Sequence, residues 1–525
     1  MRDPRRHKVE YGDFQTPIDL AREVCSLIAR TGFHPASILE PTCGTGSFLR
    51  ASIETFPEAV RVLGFEINPQ YVVQAQQTMA VEFPQAPVVV SQSDFFVTRW
   101  SEVVALLADP ILVIGNPPWV TNSGLGALGS KNVPTKSNLD NLNGIDALTG
   151  KSNFDISEWV IRKNLEWLQD RHGMLAMLCK TTVARKILLY AWQHDLKMES
   201  ASLYRLDAET FFAAAVDACL LVIKTHATDS IKECKVFDSL DAQIPTNVFG
   251  FRDGMLIANI ELFEKWRRLA GRGLKGWRSG IKHDCSKVFE LRLDNDRLMN
   301  GLGQPVEIES QVIFPMLKSS DLAMHRKPHR WMIVPQKTMD DDPVHLELDA
   351  PRTWRYLAAH SQSLDSRKSA IYRNRPRFSV FGVGGYSFAP YKVAISGLYK
   401  KLAFVQIEPA RGRPVVLDDT CYFFPCHSEE ESDLLYELVT SDPAQEFWSA
   451  LVFWDAKRPI TAQLLNALDL MALAKHLGKE CEVARALAER QIVEYREGAY
   501  QRLLFRETSP VYRAELATDE SKGNL

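Results

Sequence analysis

Asn116-Pro117-Pro118-Trp119 follows the apolar run Ile111-Leu-Val-Ile-Gly115 directly. The first two residues of this tetrapeptide can act on an amine. An exocyclic amine on a heteroaromatic ring shares its lone pair with the ring and attacks poorly. Two acceptors aimed at its two N–H bonds draw it toward tetrahedral geometry. The Asn116 side-chain oxygen and the Pro117 carbonyl can be those acceptors, because proline keeps its carbonyl, lacks an N–H and fixes the local turn. The Asn116 carboxamide is neutral, so it orients and polarises the amine and takes no proton beforehand. Pro118 shapes the turn, and Trp119 offers a flat face against which an unstacked base can rest. A plain Pro-Pro turn capped by a buried aromatic accounts for the same four residues when they stand alone.

Their company adds to this reading. Upstream, Ile38-Leu39 runs into Glu40-Pro41-Thr42-Cys43-Gly44-Thr45-Gly46 and then into the helical pattern Ser47-Phe-Leu-Arg. Glycines at 44 and 46 allow close approach of a ligand to backbone, and the helix start favours an anionic group. Glu66-Ile67 closes the next apolar run, twenty residues after Gly46, where an acid can take both hydroxyls of a ribose. Asp94-Phe95 closes the run after that, with a carboxylate for an amino group and a ring to stack on a purine. Each alone is explained by a helix cap or a core side chain; together, at successive strand ends, they describe a nucleoside pocket.

Such positioning needs a particular scaffold. Short apolar runs at 37–40, 60–65, 88–90, 111–115, 174–178 and 219–223 alternate with helical patterns. That rhythm predicts βαβ units, an α/β fold and a largely parallel sheet whose ligands bind beyond the carboxyl ends of its strands. The alternation fades near residue 225, which predicts a domain over 1–228 and a second over 229–525, the latter mixing short strands with a helical stretch from Cys481 to Gln491. Residues 121–153, rich in Gly, Ser, Asn, Thr and Lys, read as a long loop.

Composition restricts the remaining possibilities. The 525 residues carry 46% hydrophobic side chains and a net charge of −3, enough for two cores but without a global positive field. Nucleic-acid contact therefore needs local patches. Lys265, Arg267, Arg268, Arg272, Lys275, Arg278 and Lys282 form one, without an acid among them and interleaved with Trp266 and Trp277; a solvated helix end and loop is the alternative. A second runs from Arg367 to Arg377. Neither a signal peptide nor a membrane-length apolar run is evident, and nine scattered cysteines without a CxxC pair suit a reducing, cytoplasmic setting. No metal site is expected: Cys421, Cys426 and His427 lack a fourth ligand at zinc spacing.

In these motifs and their order the chain resembles the class I S-adenosylmethionine-dependent methyltransferases, and among them the gamma-order amino-methylating DNA methyltransferases. A Thr-Pro motif precedes the Gly-rich turn, as in Gln15-Thr16-Pro17, and the Asn-Pro-Pro-aromatic tetrapeptide follows the cofactor motifs. The resemblance implies a Rossmann-like sheet with helices on both faces, a cofactor-binding catalytic domain, and a C-terminal mixed α+β target-recognition domain. S-adenosylmethionine is the implied cofactor. Thr16 and the turn Glu40, Pro41, Thr42, Cys43, Gly44 and Gly46 would hold its methionine part, Glu66 and Ile67 its ribose, Asp94 and Phe95 its adenine, with Asn116 at the methyl. Phe211, or its neighbour Phe212, would flank the target base beside Trp119. The helix after Asp155 would line the cofactor pocket, although a helix cap explains Asp155 equally well.

The implied reaction is N6 methylation of a flipped adenine in duplex DNA, with a separately encoded restriction endonuclease as the companion activity. Methylation of cytosine N4, of a protein or an RNA, and an inactive DNA-binding protein are the alternatives. A cytosine-C5 mechanism is rejected because the Pro425-Cys426 pair lies far from the cofactor motifs. Asp455-Ala-Lys457 alone does not make a nuclease site.

Overall fold

The computed structural model describes residues 15–120, 155–214, 216–225, 230–271, 276–295 and 297–490. The chain divides into two compact units, Met1–Glu264 with Ala450–Ala456, and Lys265–Ser449 with Lys457–Leu525.

The first unit is built on one ten-stranded sheet. Its strands are β1 (Ser37–Glu40), β2 (Arg61–Glu66), β3 (Val88–Gln92), β4 (Ile111–Gly115), β5 (Gly173–Lys180), β6 (Ser200–Leu206), β7 (Ala218–Lys224), β8 (Glu233–Phe237), β9 (Asn247–Arg252) and β10 (Met255–Ile257). They lie in the order β10-β9-β8-β6-β7-β5-β4-β1-β2-β3. Strands β1 to β5 are mutually parallel, whereas β7 inserts antiparallel between β5 and β6. The six runs read from sequence are β1 to β5 and β7. The sheet extends beyond residue 228, because β8, β9 and β10 pair onward from β6. Their two-residue alternation, with Cys234 and Val236 buried and Lys235 exposed, is that of a half-covered sheet edge and carries no βαβ rhythm.

Each central strand is apolar on both sides because helices cover both faces. On one face Ile38, Leu112, Ile114 and Ala176 share a core with the helices Ile18–Arg30 and Ser47–Thr55. On the other, Leu39, Val113, Leu175 and Cys179 pack with the helices Ile156–Trp167 and Thr181–Gln193. Residues Ala450–Ala456 return to this unit: Ala258 and Asn259 donate N–H bonds of 2.8 and 3.0 Å to the Ala450 carbonyl. Asp455 accepts from Arg185 at 2.7 Å with both oxygens, so its carboxylate ties that segment to the helix Thr181–Gln193.

The second unit holds two smaller sheets. Strands β12 (Glu290–Asp294), β13 (Arg297–Asn300), β14 (Ile313–Leu317), β15 (Arg330–Ile333) and β18 (Val416–Leu417) form one, in the order β13-β12-β15-β14-β18. The other, β11-β19-β16-β17, joins β11 (Arg278–Ser279), β16 (Tyr391–Ser396), β17 (Phe404–Ile407) and β19 (Cys421–Cys426). Short helices connect them, giving the mixed α+β character expected, and residues 480–490 are helical. Among the described residues no helix is long and apolar enough to cross a membrane.

Candidate active site

A cleft of about 1110 Å³, its open mouth included, lies at the carboxyl ends of β1, β2, β3 and β4. Four successive strand ends each deliver a chemically distinct group to its wall. Thr16, Glu40, Pro41, Thr42, Cys43 and Gly44 line it, as do Glu66, Ile67, Asp94, Phe95, Asn116 and Pro118. Gly46, Pro117, Trp119 and Phe211 do not.

The Gly-rich turn takes its shape from its glycines. Gly44 and Gly46 have φ of +52° and +90°, where side chains are strained, and a Cβ on Gly46 would meet Ala75 Cβ at 3.3 Å. Gly46 thus lets the helices Ser47–Thr55 and Pro69–Glu82 approach, whereas Gly44 shapes the cleft wall. Gln15, itself on the cleft wall, closes the turn: its Oε1 accepts from the Thr45 N–H and hydroxyl, each at 3.0 Å.

Glu66 is held at both oxygens. Oε2 accepts the Gly44 N–H at 2.9 Å and Oε1 the Asn68 N–H at 2.8 Å, which fixes the carboxylate between the Gly-rich turn and the helix start that Asn68 caps. Asp94 accepts the Phe96 N–H at 2.8 Å on Oδ1, and its Oδ2 takes part in no hydrogen bond among the described residues. Behind it, Phe95 sits 4.9 Å from Trp100 and 5.5 Å from Trp159. Phe95 is only 6% exposed and lines the cleft together with Phe96.

Glu40 is the unusual group. Its side chain is 2% exposed, and Oε2 has no hydrogen-bond partner. Burial pushes its carboxyl well above the ordinary carboxylate range; the Leu49 N–H opposes that shift and the charge of Glu66 adds to it. A buried carboxyl on the wall of a cleft, with one oxygen unpaired, has the chemistry to receive a cationic or N–H-bearing group.

Asn116 stands at the end of β4, and its Nδ2 donates to Thr16 Oγ1 at 3.3 Å. That bond sets which edge of the carboxamide carries the acceptor. Trp119 is only 5% exposed: its ring meets Phe212 edge-on at 5.1 Å, and its Nε1 donates to the Leu178 carbonyl at 3.4 Å. The structure therefore places Phe212 against Trp119 in the core and leaves Phe211 half-buried beside it. Asp155 does not line the cleft. It caps the helix Ile156–Trp167 through the Ser157 N–H and pairs with Lys180 at 2.7 Å, while Ile156 and Val160 from that helix face the cleft.

Sequence reasoning missed Gln15, Asn68, Tyr71, Ser93 and Phe96 on the cleft wall. Gln15 and Asn68 adjoin motif residues and were within reach; Tyr71 depends on the phase of a helix, and the apolar Val120 carries no chemical signal, whereas Ile156 and Val160 come from the helix that the resemblance put on the pocket wall.

In the second unit, folding neutralises part of the basic stretch. Lys265 pairs with Glu446, which also accepts from Trp266 Nε1 at 2.6 Å, and Lys282 lies 3.6 Å from Asp284. Arg268 and Arg278 are exposed, lying over Trp266 and Tyr386 at 5.5 and 5.4 Å, and Arg267 is exposed as well. Arg272 and Lys275 fall outside the described residues. In the second cluster Arg367 donates to the Leu364 and Ser379 carbonyls and Arg377 pairs with Asp365 at 2.7 Å, so both serve the fold. An unanticipated basic turn stands out instead. His325, Arg326, Lys327 and His329 are exposed around the fully buried Asp321, whose Oδ1 lies 3.7 to 4.0 Å from Arg330, His329 and Arg326.

No family model matches the chain. In sequence it is similar to the type II methyltransferase M.NspV of Nostoc sp. (strain ATCC 29411 / PCC 7524), 42% identical over 471 residues that cover 89% of this chain and 98% of that protein. It is also similar to the type II methyltransferase M.CvrRI of Paramecium bursaria Chlorella virus XZ-6E, 31% identical over 257 residues covering 48% of this chain and 59% of the relative. Among solved structures it resembles the type IIL restriction-modification enzyme MmeI in complex with DNA, with a TM-score of 0.51 and 14% identity over 86% of this chain and 64% of MmeI. At that identity the likeness is one of fold.

Proposed function

The chain belongs to the type II methyltransferases, the DNA-modifying enzymes of restriction-modification systems, and on that premise we propose that it transfers a methyl group from S-adenosylmethionine to the N6 amine of adenine in duplex DNA. One observation carries the reading: Asn116, at the end of β4, shares a cleft wall with Glu40, Glu66 and Asp94 from the three preceding strand ends.

The residues present fit that cofactor. The unpaired, buried Glu40 Oε2 suits the ammonium of a methionine moiety, and Gly44, at φ +52°, lets Gln15 pack against the turn where a Cβ would meet its Oε1 at 2.6 Å. Glu66, held by two backbone N–H groups, keeps lone pairs for the ribose hydroxyls, and Asp94 Oδ2 is available to the adenine amine. When bound, the cofactor supplies an electrophilic methyl group. The protein positions the nucleophile: the Asn116 oxygen and the Pro117 carbonyl accept the two N6 hydrogens, drawing the lone pair out of conjugation as attack proceeds. Phe211, the partly exposed member of the cluster, would flank the flipped base, with the buried Trp119 and Phe212 packed together beside it. The gamma order of motifs and the Asn before Pro-Pro support adenine over cytosine.

The second unit would grip the duplex. Arg267, Arg268 and Arg278 keep exposed charge for phosphates, and the turn carrying Arg326 and Lys327 adds two cations. Extruding a base costs a few kcal/mol, which such contacts offset. Modification of this kind would protect host DNA from a separately encoded restriction endonuclease.

Labelled methyl transfer to duplex DNA, followed by nucleoside analysis, tests the proposal. Label in N6-methyladenine is the expected result. Label in N4-methylcytosine would reject the adenine assignment, and label confined to protein or RNA would reject the DNA reading.

A further inference from the structure

The segment Asn116–Trp119 poses a mechanical problem. Two consecutive prolines have no N–H to donate, which removes two main-chain tethers from the peptide that carries the acceptors. The chain is tied immediately afterwards instead. The Val120 carbonyl accepts the Ile156 N–H at 2.9 Å. One residue earlier, the Trp119 carbonyl accepts from Lys180 Nζ at 3.0 Å.

Lys180 is the last residue of β5, the strand beside β4, with Met177 level with Gly115. Its ammonium reaches the Asp155 Oδ2 at 2.7 Å as well as the Trp119 carbonyl. Asp155 Oδ1 meanwhile accepts the Ser157 N–H and hydroxyl at 3.1 and 2.7 Å, which locks the carboxylate to the first turn of Ile156–Trp167. The Asp155 side chain is 8% exposed and that of Lys180 24%, so the pair is largely shielded from water. A charge-assisted bond in such surroundings holds a carbonyl more firmly than a neutral donor does.

We propose that Lys180 is a positioning residue for methyl transfer: its ammonium joins the Trp119 carbonyl to the helix-capping carboxylate of Asp155 and so fixes the proline peptide that presents the acceptors. The inference rests on the reading of Asn116 and Pro117 as the groups that bind the target amine. Lys180 touches neither the cofactor cleft nor the Asn116 side chain, so its effect is on geometry. Asp155 supplies the compensating charge, and the ammonium therefore adds no net repulsion toward an amine that becomes positive as it attacks.

Lys180→Met alone would leave a buried carboxylate unpaired and disturb the fold. The informative variant is therefore Lys180→Met combined with Asp155→Asn, since asparagine keeps the helix cap and the pair of changes removes both charges. Lys180→Arg, which retains a charged donor, is the rescue. Single-turnover transfer from labelled S-adenosylmethionine to long, mixed-sequence duplex DNA should fall about 10- to 100-fold in the double variant, the size associated with sub-ångström to ångström misplacement of reacting groups. Cofactor Kd by calorimetry should stay within about 3-fold of wild type, and Lys180→Arg should recover most of the rate, as expected when a charged donor is kept. A wild-type rate in the double variant, or a loss of cofactor affinity equal to the loss of rate, would overturn the positioning role.

Hydrogen exchange at the Ile156 amide, measured without DNA, reads the tie by itself. It should accelerate in the double variant; unchanged protection overturns the tie whether or not any DNA is methylated. Conversely, a wild-type protein that methylates no DNA, with this acceleration seen in the double variant, refutes the functional reading and leaves the tie standing.

Discussion

Glu40→Gln should stabilise the cofactor-free protein and weaken its hold on the cofactor. The carboxyl is 2% exposed, one of its oxygens has no partner, and burial raises its pKa well above the ordinary 4.5. Between the unfolded and folded values the native state holds a proton that the unfolded chain has lost. Stability therefore falls as pH rises through that window, at about 1.4 kcal/mol per pH unit, and the loss is complete above the folded value. Glutamine has the shape of the protonated carboxyl and no such titration. The two proteins should match in stability near the bottom of the window, and the variant should gain about 1.4 kcal/mol over wild type with each further unit. Cofactor binding should move the other way, because a charged hydrogen bond to an ammonium becomes a neutral one. A loss of about 1.5–3 kcal/mol corresponds to a Kd raised roughly 10- to 150-fold. Urea unfolding across pH, followed by tryptophan fluorescence, with calorimetric titration of S-adenosylmethionine, measures both. Parallel stability profiles together with an unchanged Kd would refute the assignment of Glu40 as the ammonium receptor.

Asn116→Ala should lower single-turnover transfer by about two to three orders of magnitude while duplex affinity in gel shifts stays near wild type, the pattern of a group that acts in the transition state. Glu66→Ala removes the acceptor of the Gly44 and Asn68 N–H groups, so calorimetry should show cofactor affinity falling at least tenfold, as for a lost hydrogen bond to a charged group. Gly46→Ala places a side chain at φ +90° and 3.3 Å from Ala75, so denaturant titration should show a loss of about 1–2 kcal/mol. Arg326→Ala with Lys327→Ala should reduce the slope of log affinity against log salt by about 1.8 if each contacts one phosphate, whereas Lys265→Ala, already paired with Glu446, should change it little.

The residues at the four strand ends that line the cleft were legible in sequence, because their signals are local: each polar group follows an apolar strand within one or two residues. β6 and the antiparallel edge β8 to β10 were less legible, since Ser200–Leu206 mixes polar and apolar residues and the edge strands have no alternating helices to announce them. The two stacking candidates illustrate another limit. Phe211 and Phe212 are equivalent in sequence, and only the turn of the helix Ala208–Phe212 turns one into the core against Trp119. Long-range pairing hid most from view. The stretch 265–282 is free of acids in sequence, yet Glu446 reaches Lys265 from more than 180 residues away. Conversely, His325–Arg330 is a short charge run in sequence, and only the fold sets it around the buried Asp321. Lys180 gave no signal at all, being one lysine at a strand end whose partners are a carbonyl 61 residues earlier and a carboxylate 25 residues earlier.

Base-resolved sequencing of DNA from cells expressing the protein, alongside cells expressing Asn116→Ala, tests the central claim most directly. N6-methyladenine at one recurrent sequence is expected in the first and its absence from the second. Modification at cytosine, adenine methylation that persists in Asn116→Ala, or unmodified DNA in both would contradict it.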